Sequence, residues 1–419
     1  MKILIVNTSD ITGGAARAAY RLHKLLLAQN IDSQMLVQSK SSDDYTVIGA
    51  QTKMQKVMSK LRTPLDEIPT KLYKNRTKEI FSSSWFGFNN IVDKINEINP
   101  DIVHLHWICG GMIKIEELSK IKAPIVWSLH DMWAFSGGCH YSGGCEAFKD
   151  SCGSCPKLGS DKESDLSRKI WNRKHNTFQQ IPDLTIIGLS RWLETCAKES
   201  RLFRNKKVVN LPNPIDTNRF KPFDTDRSRE LWNLPKEKKL VLFGAMKATS
   251  DRRKGFKELS EALCKLDDKN IELVVFGSAE PQDSQNFNFT THYLGCLSDD
   301  VSLVTLYSAV DVVIVPSLHE NLSNSIMESL ACGSPVVGFD IGGNGDMIEH
   351  KINGYLAKPF DVIDLKDGIR WVLNAQNYNV LCLNARKKVM KDFDNSVVAG
   401  KYGALYDDVT TQNKSLLRP

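Results

Sequence analysis

The sequence contains no long apolar run. No window of its 419 residues reaches the ~18 uninterrupted apolar residues that a membrane-spanning helix needs. The apolar run in residues 1–6 is too short for a secretory signal peptide, so we expect a cytoplasmic protein whose contact with a membrane would be peripheral. In that compartment the ten cysteines are expected to be reduced thiols rather than disulfides.

Several other features are missing or weak. Neither half of the chain has a full G-x-G-x-x-G after its first strand, which argues against a nicotinamide dehydrogenase. The Asp-x-Asp at 224–226 lies in a polar segment rather than at a strand end, so we interpret it as a loop or helix cap and infer no divalent metal. A net charge of +6 does not indicate a nucleic-acid-binding protein.

Short β-branched runs alternate with longer amphipathic segments, which predicts parallel sheets covered by helices on both faces. The predicted strands are 2–7, 33–38, 101–106, 124–129 and 184–189, followed after a break by 240–243, 273–276, 312–315 and 335–338. Two prolines in residues 210–214 indicate a stiff linker. We therefore predict two α/β domains, 1–210 and 211–394, with a C-terminal helix at about 395–412 that packs back on the first.

The segment from Glu320 to Glu328 follows a buried apolar strand and leads into a helix. The helix N-terminus then lies at the carboxyl end of a strand, where open α/β sheets bind their ligands. Backbone N–H groups near Ser323, Asn324 and Ser325 would bind a diphosphate there. Glu328 could accept hydrogen bonds from the two vicinal hydroxyls of a ribose, and Glu320 could reach a sugar.

Two glutamates eight apart after such a strand resemble the donor motif of family 4 of the retaining glycosyltransferases, which have the GT-B fold. Other segments also resemble motifs of this family, and they occur in the same order along the chain as in the family. They are Gly13–Gly14, His130–Asp131, Asn213–Asp216, Lys254–Gly255 and Asp340–Gly343. One position departs from the family. An arginine often follows the glycine that corresponds to Gly244, whereas Ala245 stands here, so Arg252, Arg253 and Lys254 become the candidates for binding phosphate.

The resemblance implies two Rossmann-like domains facing across a cleft and a chemistry that needs no cofactor. It implies transfer of a hexosyl unit, with retention, from a UDP- or GDP-linked sugar to a growing lipid-linked surface polysaccharide of the colanic acid or O-antigen type. The implied catalytic residues are His130, Asp131 and Glu320. The implied donor-binding residues are Gly13, Gly14, Gly244, Arg253, Lys254, Asn321, Ser323, Asn324, Ser325 and Glu328. A sugar-nucleotide epimerase and a non-catalytic donor-binding subunit stay open as alternatives.

Four cysteines are concentrated in 17 residues, namely Cys139, Cys145, Cys152 and Cys155. In a reducing compartment this spacing suggests a structural zinc site, with His140 as a substitute ligand. Four free thiols, or a redox pair of Cys152 and Cys155, are the alternatives. If zinc is bound, it would shape the loop after His130 and help to form the acceptor side of the cleft.

One stretch is strongly basic. Residues 53–79 contain eight basic side chains against three acidic ones. Such a segment could bind the anionic head groups of the inner membrane surface. The alternative is a solvated helix face or loop.

Overall fold

The structure is a computed structural model that describes residues 1–86, 90–244, 251–266, 268–277, 289–297 and 299–416. The chain forms two compact units. The first comprises Met1–Asn213 together with Ala399–Pro419, and the second comprises Pro214–Val398.

The described strands of the first unit form one parallel sheet. They are β1 (Lys2–Ser9), β2 (Asp32–Ser39), β3 (Val47–Ile48), β4 (Ile102–Leu105), β5 (Ile125–Leu129), β6 (Leu184–Gly188) and β7 (Lys207–Asn210), in the spatial order β3-β2-β1-β4-β5-β6-β7. Its helices are α1 (Gly14–Ala28), α2 (Lys53–Asp66), α3 (Ile68–Lys71), α4 (Ile91–Ile98), α5 (Leu166–Gln179) and α6 (Arg191–Glu199). The central strands are fully buried, as the apolar runs of the sequence predict.

The second unit repeats this topology. Its described strands are β8 (Lys239–Gly244), β9 (Ile271–Phe276), β10 (Thr291–Tyr293), β11 (Val312–Val315), β12 (Val336–Phe339) and β13 (Gly354–Ala357), in the order β10-β9-β8-β11-β12-β13. Its helices are α7 (Thr225–Leu231), α8 (Phe256–Cys264), α9 (Asp300–Ala309), α10 (Asn324–Ala331), α11 (Asn344–Met347), α12 (Val362–Leu373) and α13 (Tyr378–Asp392). The last helix, α14 (Asn395–Leu416), belongs mostly to the first unit.

In both sheets the first strand lies in the middle and the order reverses beside it. This is the strand order of dinucleotide-binding Rossmann domains, whose ligands bind at the carboxyl ends of the strands flanking the reversal. The reversal falls between β1 and β4 in the first unit and between β8 and β11 in the second. The predicted fold class, two Rossmann-like domains, is confirmed.

The structure departs from the predicted elements at the edges of the sheets. The strands β3, β7, β10 and β13 were not predicted, and each has two to four residues. β7 is only half-buried and leads directly into the proline-containing segment that we interpreted as a linker. The Asp-x-Asp at 224–226 is a helix cap as predicted, since the Asp224 side chain accepts from the backbone N–H of Arg227. No helix of the described ranges has the length and apolar character needed to cross a bilayer.

The end of β6 packs directly on α6. A Cβ added at Gly188 would lie 2.4 Å from both Cα and N of Glu194. We therefore expect Gly188→Ala to lower the free energy of unfolding by about 1–3 kcal/mol, the usual cost of overpacking. The matched control is Gly400→Ala in α14, where no atom lies within 4 Å of the added Cβ. There the loss of glycine from a helix should raise stability by about 0.5–1 kcal/mol. Denaturant unfolding measures both changes, and equal stability of the two variants would contradict the packing described for β6.

Candidate functional site

In the second unit, a short turn packs against the loop that follows β11. Gly255 has φ +74°, and a Cβ built on it would lie only 1.8 Å from the carbonyl oxygen of Pro316. The backbone N–H of Leu318 donates to the carbonyl of Arg253 over 2.7 Å. Any larger residue at position 255 would separate the two segments, so this approach depends on glycine.

The close approach places a cation and a carboxylate together at the sheet reversal. Lys254 Nζ lies 2.9 Å from Glu320 Oε2, and both side chains are largely shielded from solvent. Ser317 Oγ lies 3.4 Å from the same carboxylate oxygen. The structure thus brings together two residues predicted separately from the sequence, 66 positions apart.

The loop then enters α10. Ser323 is its N-cap residue, with an extended backbone and no capping hydrogen bond from its side chain. The backbone N–H groups in the first turn of a helix and the helix dipole favour an anion at this end. Ser323 and Asn321 are both buried beside this end, and Asn324 and Ser325 form the first turn of the helix. The predicted anion-binding residues therefore lie together at one helix end.

Glu328 lies further along α10 and is only 3% exposed. Its Oε2 accepts a hydrogen bond from the Tyr307 hydroxyl over 3.2 Å. Burial, together with the negative charge of Glu328, raises the pKa of Tyr307 well above its usual range, so this hydroxyl stays a donor. A buried carboxylate needs such donors to be tolerated. The contact of Glu328 with a ribose stays a prediction.

The three basic residues of the turn all have carboxylate partners. Arg253 Nη2 lies 2.6 Å from Asp251 Oδ2, and Arg252 Nη1 lies 2.6 Å from Glu258 Oε2. Of these pairs, the pair of Lys254 is with a predicted site residue, Glu320.

The glycines predicted for the site lie at strand ends. Gly244 ends β8 at the reversal, whereas Ala245 lies outside the described residues. After β12, Gly342 has φ +52°, as expected of the predicted glycine turn.

In the first unit, His130 follows β5 and belongs to a group of histidines. His106, just after β4, shares a 2.9 Å hydrogen bond between its Nδ1 and His130 Nε2. His104 bonds Ser128 Oγ through Nε2 and the Tyr406 hydroxyl through Nδ1. Burial lowers the pKa of His104 to about 3 and that of His130 to about 4. The imidazoles are therefore neutral at physiological pH.

Sequence reasoning missed His104 and His106. The available signal was that both histidines fall in the predicted strand 101–106, two residues apart. Residues two apart in a strand lie on the same face. Gly13 and Gly14 lie at the carboxyl end of the neighbouring strand β1, as predicted. Gly13 has φ +98° and caps α1, and a Cβ there would meet no atom within 4 Å.

Asp131 ties the following loop to the sheet. Its Oδ2 accepts from Trp107 Nε1 over 3.1 Å and from His140 Nδ1 over 2.6 Å, and its Oδ1 accepts from the Trp133 N–H over 2.9 Å. Burial alone would raise the pKa of Asp131, but His140 and the other donors bring it below its usual range. These contacts are those of a loop anchor, and the predicted catalytic role of Asp131 stays a prediction.

His140 and the cysteines do not form the predicted metal site. Both nitrogens of His140 are engaged, because Nε2 bonds Ser82 Oγ over 2.9 Å, so His140 is not available as a substitute ligand. The four cysteines line one cavity of about 20 Å³ together. Within the described ranges, however, no group of three or more His, Cys, Asp or Glu side chains is arranged to hold a metal ion. The structure therefore does not support zinc binding.

Part of the chain matches a known family. Residues 224–389 match the family described as "Glycosyl transferases group 1". The N,N'-diacetylbacillosaminyl-diphospho-undecaprenol alpha-1,3-N-acetylgalactosaminyltransferase of Campylobacter jejuni is 30% identical over 218 residues, covering 50% of this chain and 56% of that protein. The putative colanic acid biosynthesis glycosyl transferase WcaC of Escherichia coli is 24% identical, covering 80% and 82%.

Solved structures agree in fold. Sucrose-phosphate synthase from Thermosynechococcus elongatus superposes with a TM-score of 0.70 at 18% identity, covering 98% of this chain and 99% of that one. Anabaena HepE in complex with UDP and glucose gives 0.65 at 16% identity, covering 97% and 99%. The protein is a glycosyltransferase with the GT-B fold, and the group 1 family match lies within its second unit.

The burial of neutral His104 has a consequence for stability. Its pKa is about 3 in the folded protein and ~6.5 when unfolded, so the unfolded state binds more protons as the pH falls. The stability that neutral His104 contributes to the folded state is therefore fully present above pH ~6.5. It is lost progressively as the pH falls towards the folded pKa. Between pH 7 and pH 5, we expect this histidine to cost about 2 kcal/mol of unfolding free energy. Thermal unfolding of His104→Gln should show a correspondingly weaker pH dependence, and an unchanged dependence would contradict a buried neutral His104.

Proposed function

We propose that this protein transfers a hexosyl unit, with retention of anomeric configuration, from a UDP- or GDP-linked sugar to a growing lipid-linked surface polysaccharide. The observation that carries the proposal is the Lys254–Glu320 pair, held beside the N-terminus of α10 at the sheet reversal of the second unit. The relatives support it through their names, which include a transferase acting on a diphospho-undecaprenol-linked sugar.

In this proposal the diphosphate of the donor binds at the N-terminus of α10 and contacts Lys254. It competes with Glu320 for the lysine, which leaves the Glu320 carboxylate to contact the sugar. Glu328 accepts hydrogen bonds from the ribose. When the bond between sugar and phosphate breaks, negative charge grows on the departing diphosphate. A fixed cation and a helix N-terminus stabilise such charge without reorganising, which is a large term in catalysis.

His130 contacts the transferred sugar rather than attacking it. Its Nε2 is committed to His106, so the Nδ1 edge of this partly exposed ring is the part that meets the substrate. A neutral imidazole can donate or accept a hydrogen bond at such an edge but does not bring a positive charge. The acceptor hydroxyl passes its proton to the leaving diphosphate, and we expect the chemistry to need no cofactor.

The first test is a transfer assay with nucleoside diphosphate sugars and a lipid extract as the source of acceptor. We expect nucleoside diphosphate release that depends on the acceptor. Isomerisation or hydrolysis of the donor alone would instead indicate an epimerase. Donor binding without turnover would indicate a non-catalytic subunit.

Variants separate binding from turnover. Glu328→Gln keeps an acceptor for Tyr307 but removes the charge, so it should weaken nucleotide affinity by about tenfold, the loss expected for a charged hydrogen bond. The matched control is Glu272→Gln on β9, whose carboxylate is paired with His292 on β10. His130→Ala should leave nucleotide affinity intact and lower turnover by about 100-fold. Loss of binding in His130→Ala, with normal binding in Glu328→Gln, would reverse the proposed roles.

Zinc at the four cysteines stays a separate prediction. It is favoured by their spacing and by their shared cavity, and it is not favoured by their present arrangement. The backbone N–H of Gly137 donates to Cys152 Sγ over 3.1 Å, a contact that would suit a thiol or a thiolate. Metal analysis of protein purified without chelators decides the matter. Zinc near one ion per chain, lost in Cys152→Ser, would support the prediction from the spacing, whereas full activity without bound metal would refute it and would agree with the side-chain arrangement.

A further inference from the structure

We propose that α2 and α3 form a membrane-docking surface that lies in the interface of an anionic bilayer. The inference deepens the proposed function, because a lipid-linked acceptor is held in a bilayer. The exposed side chains of these two helices, and the contacts that hold the helices to the first unit, indicate this surface.

The two helices expose an apolar stripe. Met54, Val57 and Leu61 on α2 are 76%, 57% and 48% exposed. Ile68 at the start of α3 and Leu72 just after it are 46% and 80% exposed. Steps of three, four or seven residues keep side chains on one face of a helix. Glu67, between the helices, has right-handed helical angles of φ −79° and ψ −14°, so the stripe is continuous.

The orientation of α2 is the reverse of what a surface helix usually shows. An amphipathic helix normally turns its apolar side to the core. On α2, the one buried residue is Asp66; Met54, Val57 and Leu61 face solvent, and the other two large apolar side chains, Met58 and Leu65, are half-buried. A contiguous exposed apolar surface on a soluble protein marks an interaction site.

Lysines border this stripe. Lys53, Lys56 and Lys60 are exposed and, at 100° per residue, lie along one flank of the apolar face. Lys71 and Lys74 continue the series around Leu72. Apolar side chains between lysines are the pattern of helices that lie in the plane of a membrane, with the lysines reaching anionic head groups. This charge pattern favours a lipid surface over a second protein.

Polar contacts fix the helix to the first unit. Asp66 accepts from the backbone N–H groups of Ser84 and Trp85 over 3.2 and 3.0 Å. Thr63 Oγ1 donates to the Gly110 carbonyl over 3.1 Å. Gly110 belongs to the segment that follows β4 at the sheet reversal. The docking surface is therefore connected to the edge of the sheet that carries His106 and His130.

The test is co-sedimentation of the full chain with vesicles of phosphatidylcholine, with and without phosphatidylglycerol. We expect binding that requires phosphatidylglycerol. The triple variant Met54→Ser, Val57→Ser, Leu61→Ser should bind at least tenfold more weakly. The triple variant Lys53→Gln, Lys56→Gln, Lys60→Gln should lose the preference for the anionic lipid.

The matched control carries Val380→Ser and Leu383→Ser on α13, which are 50% and 58% exposed and should not matter for binding. The inference is overturned if the wild-type protein does not bind vesicles that contain phosphatidylglycerol. It is also overturned if the triple serine variant of α2 binds them as well as wild type does. A serine variant that changes the oligomeric state in light scattering, with vesicle binding intact, would instead reveal a protein interface. Nucleotide affinity of the serine variant should equal that of wild type, which separates this test from the proposed function.

Discussion

The Lys254–Glu320 pair depends on one close approach between two backbone segments. The turn that ends at Gly255 lies against Pro316, so near that a methyl group at position 255 would overlap the Pro316 carbonyl. A hydrogen bond from the backbone N–H of Leu318 to the carbonyl of Arg253 stabilises this contact. Together they determine the positions of Lys254 and Glu320. Because both positions follow from the backbone, the fold itself holds the cation and the carboxylate in place. Fixed charges of this kind are what the proposed electrostatic catalysis would require.

The first unit is organised by buried polar groups. Neutral imidazoles link the ends of β4 and β5, and the Asp131 carboxylate holds the loop beyond them through three donors. Buried polar groups tolerate few arrangements, since each unmade hydrogen bond is costly. The same edge is tied to α2 through Gly110. The histidines at this edge and the helix α2 thus belong to one structural neighbourhood.

The sequence was sufficient for the central architecture. Strands such as 312–315 are uniform apolar runs, and their burial follows directly from hydrophobicity. Short edge strands such as Lys207–Asn210 were missed, because their pairing depends on a neighbour rather than on their own composition. Glu320 was identified by its place between a buried strand and a helix, and Lys254 by resemblance to the family. Their contact was not predictable, since it follows from the tertiary packing at Gly255.

Two features show where sequence patterns are ambiguous. The spacing of Met54, Val57 and Leu61 is the same for a buried face and an exposed one, and only the structure shows that they face solvent. The cysteine spacing suggested a closed metal site, but the side chains of Cys139 and Cys152 lie in a cavity without such an arrangement. Spacing indicates which side chains can meet, and packing decides which ones do.

The proposed function depends on binding of a nucleoside diphosphate sugar to the second unit, around Glu320 and Glu328. A thermal-shift panel of UDP, GDP, ADP and their sugars, applied to the wild-type chain, tests it most directly. A ligand at 100 times its dissociation constant stabilises a protein by ~2.7 kcal/mol. We expect UDP or GDP, with the matching sugar nucleotide, to raise the melting temperature by several degrees. No shift with any nucleotide would contradict it.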